Sequence, residues 1–320
     1  MNDIIGGILG FAAGDAVGVP VEFEKREYLN KKPVGDMLEY GTHFQPIGTW
    51  SDDTSMVVAT IDHLNECDNV DFDLLMKNYI NWYQNAAYTA TDSVFDMGVT
   101  TRESLNNFIY KKMSAVECGK DGMYDNGNGS LMRVLPMSYY VYYKGIRETE
   151  EYHLLKKFSS MTHAHDISVL GCMIYTDYII NILDGNDLKE SYDLLNINKY
   201  RKYFSEDIVS YYADILSGNL RTKSRDEIKS SGFVVHTLEA VIWSLINTNS
   251  YEEAVISSVN LGDDTDTIGA LVGGVAGTYY GMENIPEKWL QNLKKKDYLL
   301  NLSQKLENKL LNNTYTKKSK

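Results

Sequence analysis

The chain has 320 residues and a formal net charge of −13. It is long enough to bury a large core, and 43% hydrophobic with 23% charged residues is ordinary for a soluble globular protein. The acidic balance argues against a nucleic-acid partner, because no basic surplus is available to neutralise phosphates.

Cysteine usage and the apolar segments indicate the compartment. Cys67, Cys118 and Cys172 are odd in number and stand at unrelated spacings, which favours a reducing compartment over a disulfide framework. The apolar N-terminal stretch lacks a basic region and is interrupted by Asp15, which is atypical of a signal peptide. Residues 268–280 are apolar but too few to span a bilayer. We expect a cytoplasmic monomer that is not bound to a membrane.

Helical periodicity runs through most of the chain. Only five prolines and long segments with a 3.6-residue apolar period predict an all-α protein. The breaks at 31–48, 117–129 and 221–232 do not resemble interdomain linkers, so we predict one domain, residues 1–311, and a flexible polar tail, 312–320. The predicted helices are 57–64, 72–83, 130–143, 167–183, 237–246 and 251–259.

Glycines recur every four residues in two series near opposite ends of the chain. A glycine in a helix interior costs about 1 kcal/mol, and close helix–helix approach can compensate for that cost. The first series leads to Glu22 and the second begins after Asp264, so we predict two central helices that pack near a common site. Unrelated turn and packing glycines are the alternative interpretation. The series are Gly10, Gly14 and Gly18, then Gly269, Gly273, Gly277 and Gly281.

Two acidic clusters that also carry hydroxyl groups stand about two hundred residues apart, SDDT at 51–54 and DDTDT at 263–267. Each stands where a polar loop leads into an apolar helix, and consecutive side chains can converge at such a helix start. An ordinary N-cap is the alternative for the first cluster. The second holds three aspartates, which repel one another unless a cation lies among them. Hard oxygen ligands with few histidines favour a two-metal centre of the magnesium or manganese type.

A glycine-rich segment, DNGNGS at 125–130, precedes the predicted helix 130–143. Its glycines and asparagines favour a backbone nest, and a helix N-terminus at Ser130 would present free N–H groups to a phosphate or diphosphate. An ordinary tight turn is the alternative interpretation, since this motif alone is a weak signal.

The remaining candidates are a few histidines and one aspartate. His163 and His165 are candidate zinc ligands, but histidines two apart do not share a helix face and no cysteine or third histidine completes a ligand set. We therefore interpret His163 as a substrate contact and His165 as a surface or supporting residue. His43 and His236 belong to no cluster and are predicted to be structural. Asp96 either caps a helix or lines a polar pocket. No signature of a covalent serine or cysteine nucleophile is present in the sequence.

Taken in order, these segments resemble the ADP-ribosylglycohydrolase family, which includes dinitrogenase reductase-activating glycohydrolases and ADP-ribosyl-acceptor hydrolases. The resemblance covers nearly the whole chain, and the order of the motifs makes it specific. The matching segments are GGILGFAAGDAVGVPVEF, GTWSDDTSM, VFDMGVTTR, GNGSLMRVLPM, Thr162-His163, SGFVVHTLEAVIWSL and NLGDDTDTIGALVGGVAGTYYG. Two departures are Ser51, where threonine is frequent, and Asp263, where glycine is frequent. The added charge of Asp263 would either raise cation affinity or face solvent.

The resemblance implies a compact, single-domain, orthogonal helical bundle around a central site with two divalent cations, Mg²⁺ or Mn²⁺. The implied metal ligands are Ser51, Asp52, Asp53, Asp264, Asp266 and Thr267. The implied catalytic residues are Glu22, Asp53 and Asp264. The implied substrate contacts are Asp96, Gly127, Asn128, Gly129, Ser130 and His163. Among these contacts, residues 127–130 correspond to the part that holds the diphosphate, and Asp96 to an acidic residue near the scissile bond.

The implied activity is metal-dependent hydrolysis of the glycosidic bond in ADP-ribosylated acceptors, with release of ADP-ribose. Hard cations bind ribose hydroxyls, carboxylates stabilise an oxocarbenium-like state, and Glu22 or a nearby aspartate deprotonates the attacking water. We expect ADP-ribosyl-arginine on protein as the substrate. The alternatives are O-acetyl-ADP-ribose or another ADP-ribose conjugate, such as another modified side chain or a modified nucleic acid, and a non-catalytic ADP-ribose-binding or toxin-immunity module. Two complete metal clusters favour an enzyme over a pure binder.

Overall fold

Helices make up the regular structure of the chain. A computed structural model describes the backbone of residues 4–318 and the side chains of residues 4–312. Over that part of the chain, β-type pairing is limited to three isolated bridges, so the predicted all-α class is confirmed. The helices are α1 (Ile4–Gly18), α2 (Arg26–Leu29), α3 (Asp52–Glu66), α4 (Phe72–Asn85), α5 (Val99–Lys111), α6 (Leu135–Lys144), α7 (Glu148–Ser160), α8 (Asp166–Leu183), α9 (Leu188–Asp193), α10 (Ile197–Tyr200), α11 (Glu206–Ser210), α12 (Ala213–Leu216), α13 (Val234–Ile246), α14 (Tyr251–Val259), α15 (Thr265–Tyr280), α16 (Glu287–Asn292) and α17 (Lys296–Lys318).

Five of the six predicted helices lie within observed ones, but the sixth begins in the wrong place. Residues 130–143 were predicted to be helical, whereas 129–133 form turns and α6 begins only at Leu135. The side chain of Arg133 turns back, and its Nε donates a hydrogen bond to Gly129 O at 3.2 Å. Pro136 then occupies the first turn of α6, where its missing N–H is tolerated. The helix N-terminus predicted at Ser130 is therefore absent.

The glycine series bring the two ends of the chain together, as predicted. Helix α1 packs along α15, and a methyl group on Gly10 would lie 2.5 Å from Gly273 O. In the same way, a methyl group on Gly269 would lie 2.6 Å from Gly14 O. Larger side chains would force the helices apart. Gly281 is an exception, since it has a φ of +85° and ends α15 instead of joining the interface.

Among the described residues, two helices are long and apolar enough to cross a bilayer, but the fold buries them. The windows Ile4–Val21 and Asp166–Leu183 are 94% and 89% buried, as expected for central helices of a globular core. The last helix, α17, enters the predicted tail 312–320. Residues 319–320 lie outside the described part of the chain, and the flexibility of the tail stays a prediction.

Candidate active site

The site lies where α1 ends and where α3 and α15 begin. Ser51 is the N-cap of α3, and its Oγ accepts a hydrogen bond from Asp53 N at 3.3 Å. A methyl group on Gly18, the last residue of α1, would collide with the backbone of Asp266 in α15. Because these helix ends approach so closely, the 3₁₀ turn Val19–Val21 leads the chain directly into the site at Glu22.

The two acidic clusters meet at these helix starts. Thr267 Oγ1 donates a hydrogen bond to Asp53 Oδ2 at 3.2 Å, which joins α15 to α3. In two groups of carboxylates, one oxygen from each member lies within 4.8 Å of the others. The groups are Asp15, Asp53 and Asp266, and Glu22, Asp264 and Asp266. The structure thus brings together the predicted ligands Asp53, Asp264 and Asp266, with the Thr267 hydroxyl beside them, and the ligand roles stay predictions.

The residues gathered here fit divalent cations. Asp266 is fully buried, and its Oδ2 has no hydrogen-bond partner among the described residues. Burial first, and neighbouring carboxylates second, raise the pKa of Asp52, Asp53 and Asp266. A cation among these oxygens would bind the free oxygen and remove the repulsion. Carboxylate and hydroxyl oxygens are the ligands that Mg²⁺ and Mn²⁺ prefer.

Glu22 and Asp96 form a carboxyl pair at the edge of the acidic group. One ligand atom of each of Glu22, Asp96 and His43 lies within 4.8 Å of the others. Burial and the charges of Asp96 and Asp264 raise the pKa of Glu22 to about 10, whereas burial raises the pKa of Asp96 to about 6. Both pKa values lie above the ordinary range of a carboxyl group, so the pair is suited to hold a proton and to exchange it with a group bound beside it.

A cavity of about 360 Å³ opens onto the carboxylates, and two parts of its lining differ in chemistry. The first, the acidic wall, comprises Glu22, Asp52, Asp96 and Asp264. The second, the glycine-loop wall, comprises residues 127–129 and His163 and has no carboxylate. A cavity of this size is typical of a small-molecule site.

The glycine-loop wall is tied to the acidic wall through Asn128. Asn128 Nδ2 donates a hydrogen bond to Asp264 Oδ2 at 2.6 Å, and Asn128 N donates to Gly232 O at 3.0 Å. The N–H of Gly129 has no acceptor among the described residues. A methyl group on Gly129 would lie only 2.7 Å from His163 Cε1. The loop therefore packs against this imidazole and keeps a backbone donor for a ligand.

Ser130 is the one predicted substrate contact that does not line the cavity. It is fully buried, and its Oγ accepts a hydrogen bond from Ser159 Oγ at 2.9 Å. The Cys172 thiol lies 3.5 Å from the same oxygen. The hydroxyl of Ser130 therefore supports the loop from behind. Asp96, Gly127, Asn128, Gly129 and His163 all line the cavity.

The two neighbouring histidines have different positions. His163 is buried, its Nδ1 lies 2.9 Å from Thr162 Oγ1, and burial together with the Arg133 charge lowers its pKa to about 3. The ring is therefore neutral at physiological pH. His165 caps α8 instead, where its Nδ1 accepts a hydrogen bond from Ile167 N at 3.2 Å.

Asp263 does not join the carboxylate groups. Its φ of +61° explains why glycine suits this position, and its side chain is 38% exposed. Asp263 Oδ1 accepts a hydrogen bond from Lys25 Nζ at 2.7 Å. Of the two alternatives for this residue, the structure places it toward solvent.

Two residues of the site were not identified as such from the sequence. Asp15 is fully buried in α1 and accepts hydrogen bonds from Ser51 N at 2.9 Å and from Thr54 Oγ1 at 2.6 Å. The signal for it was a lone aspartate inside an apolar helix, because a buried carboxylate needs partners. His43 was predicted to be structural, but its Nε2 contacts the Glu22 carboxylate. No motif around His43 could have indicated this contact.

Comparison with known proteins agrees with the fold and the site. The model of the ADP-ribosylglycohydrolase family matches residues 1–318. A solved structure described as an ADP-ribosylglycohydrolase-related protein complex matches with a TM-score of 0.80 and 25% identity, over 97% of this chain and 98% of that chain. The chain belongs to the ADP-ribosylglycohydrolase family, and it is a hydrolase.

Two relatives have more specific names. The ADP-ribosylarginine hydrolase Tri1 of Serratia proteamaculans (strain 568) is 31% identical over 304 residues, which are 94% of this chain and 78% of that protein. The ADP-ribosyl-[dinitrogen reductase] glycohydrolase of Rhodospirillum rubrum is 25% identical over 300 residues, which are 90% of this chain and 89% of that protein. Both similarities extend far beyond the acidic motifs.

Proposed function

We propose that the protein hydrolyses the glycosidic bond between ADP-ribose and an arginine side chain of a modified protein, and that it releases ADP-ribose. The observation that carries this proposal is one cavity lined by both the acidic wall and the glycine-loop wall. An ADP-ribosyl-arginine matches these two walls. Its anionic diphosphate suits the glycine-loop wall, which has no carboxylate, and its cationic guanidinium suits the acidic wall. The Serratia relative named ADP-ribosylarginine hydrolase supports the choice of linkage.

Two divalent cations, Mg²⁺ or Mn²⁺, belong to this proposal. When bound, they would supply an electrostatic hold on the ribose hydroxyls and would make those hydroxyls more acidic. The unpartnered, buried Oδ2 of Asp266 supports such a cofactor. The residues that would hold the cations are Ser51, Asp52, Asp53, Asp264, Asp266 and Thr267.

The chemistry at the anomeric carbon would rest on the acidic wall and on Asp53, which lies behind it. Positive charge develops on the sugar as the bond breaks, and the carboxylates of Asp53 and Asp264 would stabilise it. Glu22 and Asp96, whose pKa values are both raised, would move a proton between the attacking water and the leaving group. Asn128 would hold Asp264 in place through its 2.6 Å hydrogen bond.

We propose that the protein works in the cytoplasm. Its cysteines Cys67, Cys118 and Cys172 are all free, which is the state that a reducing compartment maintains.

A hydrolysis assay tests the proposal. ADP-ribosyl-arginine and O-acetyl-ADP-ribose are each incubated with the protein and with Mg²⁺, Mn²⁺ or a chelator. We expect faster release of ADP-ribose from the arginine conjugate, dependence on the cation, and loss of release in Asp264→Asn. Faster turnover of the acetyl ester would move the assignment to that substrate. Tight ADP-ribose binding without turnover of either conjugate would instead support a non-catalytic binding module.

A further inference from the structure

Arg133 lies behind the glycine-loop wall and is the most unusual buried charge in the structure. Its side chain is fully buried, yet all its hydrogen-bond partners are neutral. The guanidinium carbon lies 4.8 Å from the ring centre of Tyr79 and 4.5 Å from that of Phe158. A buried cation is costly unless it is compensated, and no carboxylate of the described residues forms an ion pair with it. The positive charge of Arg133 is therefore not neutralised by an ion pair, and it raises the electrostatic potential at the neighbouring glycine-loop wall.

The first connection from Arg133 leads to the loop itself. Arg133 Nε donates a hydrogen bond to Gly129 O at 3.2 Å. In a trans peptide the C=O and the following N–H point in opposite directions, so this bond turns the Ser130 N–H away from the guanidinium. Arg133 thereby fixes the orientation of a peptide whose neighbouring donor, the Gly129 N–H, has no acceptor among the described residues.

The second connection leads to His163. Arg133 Nη2 donates a hydrogen bond to Thr162 Oγ1 at 2.8 Å, and the same oxygen lies 2.9 Å from His163 Nδ1. Thr162 is fully buried, and its hydroxyl hydrogen has no acceptor other than Nδ1 among the described residues. When that hydrogen bonds to Nδ1, the imidazole proton lies on Nε2. That nitrogen would lie 3.3 Å from a methyl group on Gly129, so it faces the loop. The chain of contacts therefore presents a donor, Nε2–H, along the glycine-loop wall.

We propose that Arg133 is a positioning residue for the anionic part of the ligand. It orients the Gly129 peptide, sets the tautomer of His163 through Thr162, and supplies positive charge behind a wall that has no charged side chain of its own. The inference rests on the proposed function, because that function places a diphosphate at this wall. It adds a source of charge and a relay to that proposal. Neither was foreseen from the sequence, where Arg133 stands inside an apolar run.

Binding of ADP-ribose, measured without turnover, tests the inference. Thr162→Val removes the relay and leaves the cation, while Arg133→Met removes both. We expect the dissociation constant for ADP-ribose to rise about 10–100-fold in Arg133→Met and less in Thr162→Val, the range for losing hydrogen bonds to a charged group. Adenosine has no diphosphate, so its dissociation constant in both variants, measured by NMR titration, should stay within about twofold of the wild-type value, because no hydrogen bond to the ligand is lost.

Nitrogen-15 NMR of the His163 ring supplies a readout that a merely structural role would not move. The wild type should show the Nε2–H tautomer, and Thr162→Val should show a mixture. Thr176→Val is the matched control, because Thr176 is an equally buried threonine that bonds to Ser138 at 3.0 Å and should leave both readouts unchanged.

The outcomes separate this inference from the proposed function. If Arg133→Met does not fold, Thr162→Val decides the question alone. Variants that bind ADP-ribose as tightly as the wild type, or that lose adenosine and ADP-ribose equally, would overturn the role of Arg133. A wild type that binds no ADP-ribose would overturn the proposed function itself, and this inference with it.

Discussion

The two walls of the cavity differ in their electrostatics. The acidic wall concentrates carboxylates that raise one another's pKa, and behind it the buried Oδ2 of Asp266 has no hydrogen-bond partner among the described residues. The glycine-loop wall has no charged side chain, and its positive charge, that of Arg133, lies behind it. The first wall is therefore suited to a cation, whereas the second offers neutral groups, including the Gly129 N–H, to an anion. Such a division suits a ligand that is anionic at one end and bound through hydroxyls to metal at the other.

The largest effect should come from removing one charge from the two buried carboxylate groups that would hold the cations. Asp266→Asn keeps the shape of the side chain but weakens cation binding, so we expect kcat to fall at least about 10³-fold in the assay with ADP-ribosyl-arginine. Asp263→Asn is the matched control, since Asp263 lies three residues away and pairs with exposed Lys25. Equal activity in both variants would contradict the assignment of the metal group.

The second effect is a pH dependence of stability that cations should reverse. The folded pKa values of Asp96, Asp15 and Glu22 are raised to about 6, about 7 and about 10, above their unfolded values near 4. Their stabilising contribution is therefore full below about pH 4 and is lost as pH rises through those values. Each such group lowers the free energy of unfolding by about 1.4 kcal/mol per pH unit while it remains protonated only in the folded state.

The corresponding measurement is the melting temperature from pH 5 to pH 8 in chelator and in Mg²⁺. In chelator, we expect the wild type to lose stability with pH more steeply than Asp266→Asn, which has one fewer buried carboxylate. The stabilisation by Mg²⁺ should grow with pH, because the cation binds ionised carboxylates. If, in chelator, the melting temperature of the wild type rises relative to that of Asp266→Asn between pH 5 and pH 8, the buried carboxylates do not repel one another as described.

The third effect concerns the glycine-loop wall. A methyl group on Gly129 would lie 2.7 Å from His163 Cε1, so Gly129→Ala must displace the imidazole or the loop. We expect KM for ADP-ribosyl-arginine to rise about 10-fold with a smaller change in kcat, as for the loss of one or two ligand hydrogen bonds. Gly35→Ala is the control, since a methyl group there meets no atom within 4 Å. If kcat falls as far as in Asp266→Asn, the glycine-loop wall contributes to catalysis and not mainly to binding.

The smallest effect should separate the acceptors. Phe23 follows Glu22, lines the cavity and is 60% exposed, and its ring lies 6.0 Å from that of His43. A guanidinium on an exposed aromatic ring gains about 0.5–1 kcal/mol. Phe23→Leu should therefore lower kcat/KM for ADP-ribosyl-arginine about 2–5-fold and leave O-acetyl-ADP-ribose unchanged, while Phe23→Tyr should keep both rates. An equal loss for both substrates would show that the ring does not contact the acceptor.

Much of this architecture could be predicted because it follows local rules. Apolar periodicity marked the helices, and the glycine spacing correctly predicted that α1 and α15 pack closely. Residues in irregular loops were harder, because their positions depend on tertiary contacts. His43 stands in a loop without any motif, and only the fold brings it to Glu22.

The error at residues 130–134 has a specific cause. The apolar pattern there suits a helix, but the hydrogen bond from Arg133 to Gly129 O and the proline at position 136 favour turns. Helical propensity could not indicate that an arginine side chain would fold back on its own loop. Asp15 was missed for a related reason, since its partners lie on α3, some 36 residues further along the chain.

The pairing of α1 with α15 also has a consequence for biosynthesis. Because a ribosome releases the N-terminus first, at about 5–20 residues per second, α1 waits until Thr265–Tyr280 has emerged before it can find its partner. During that interval a glycine-rich, apolar helix stands uncovered, and Glu22 has no carboxylate neighbour from the C-terminal cluster. The acidic site therefore assembles only after α15 has been made.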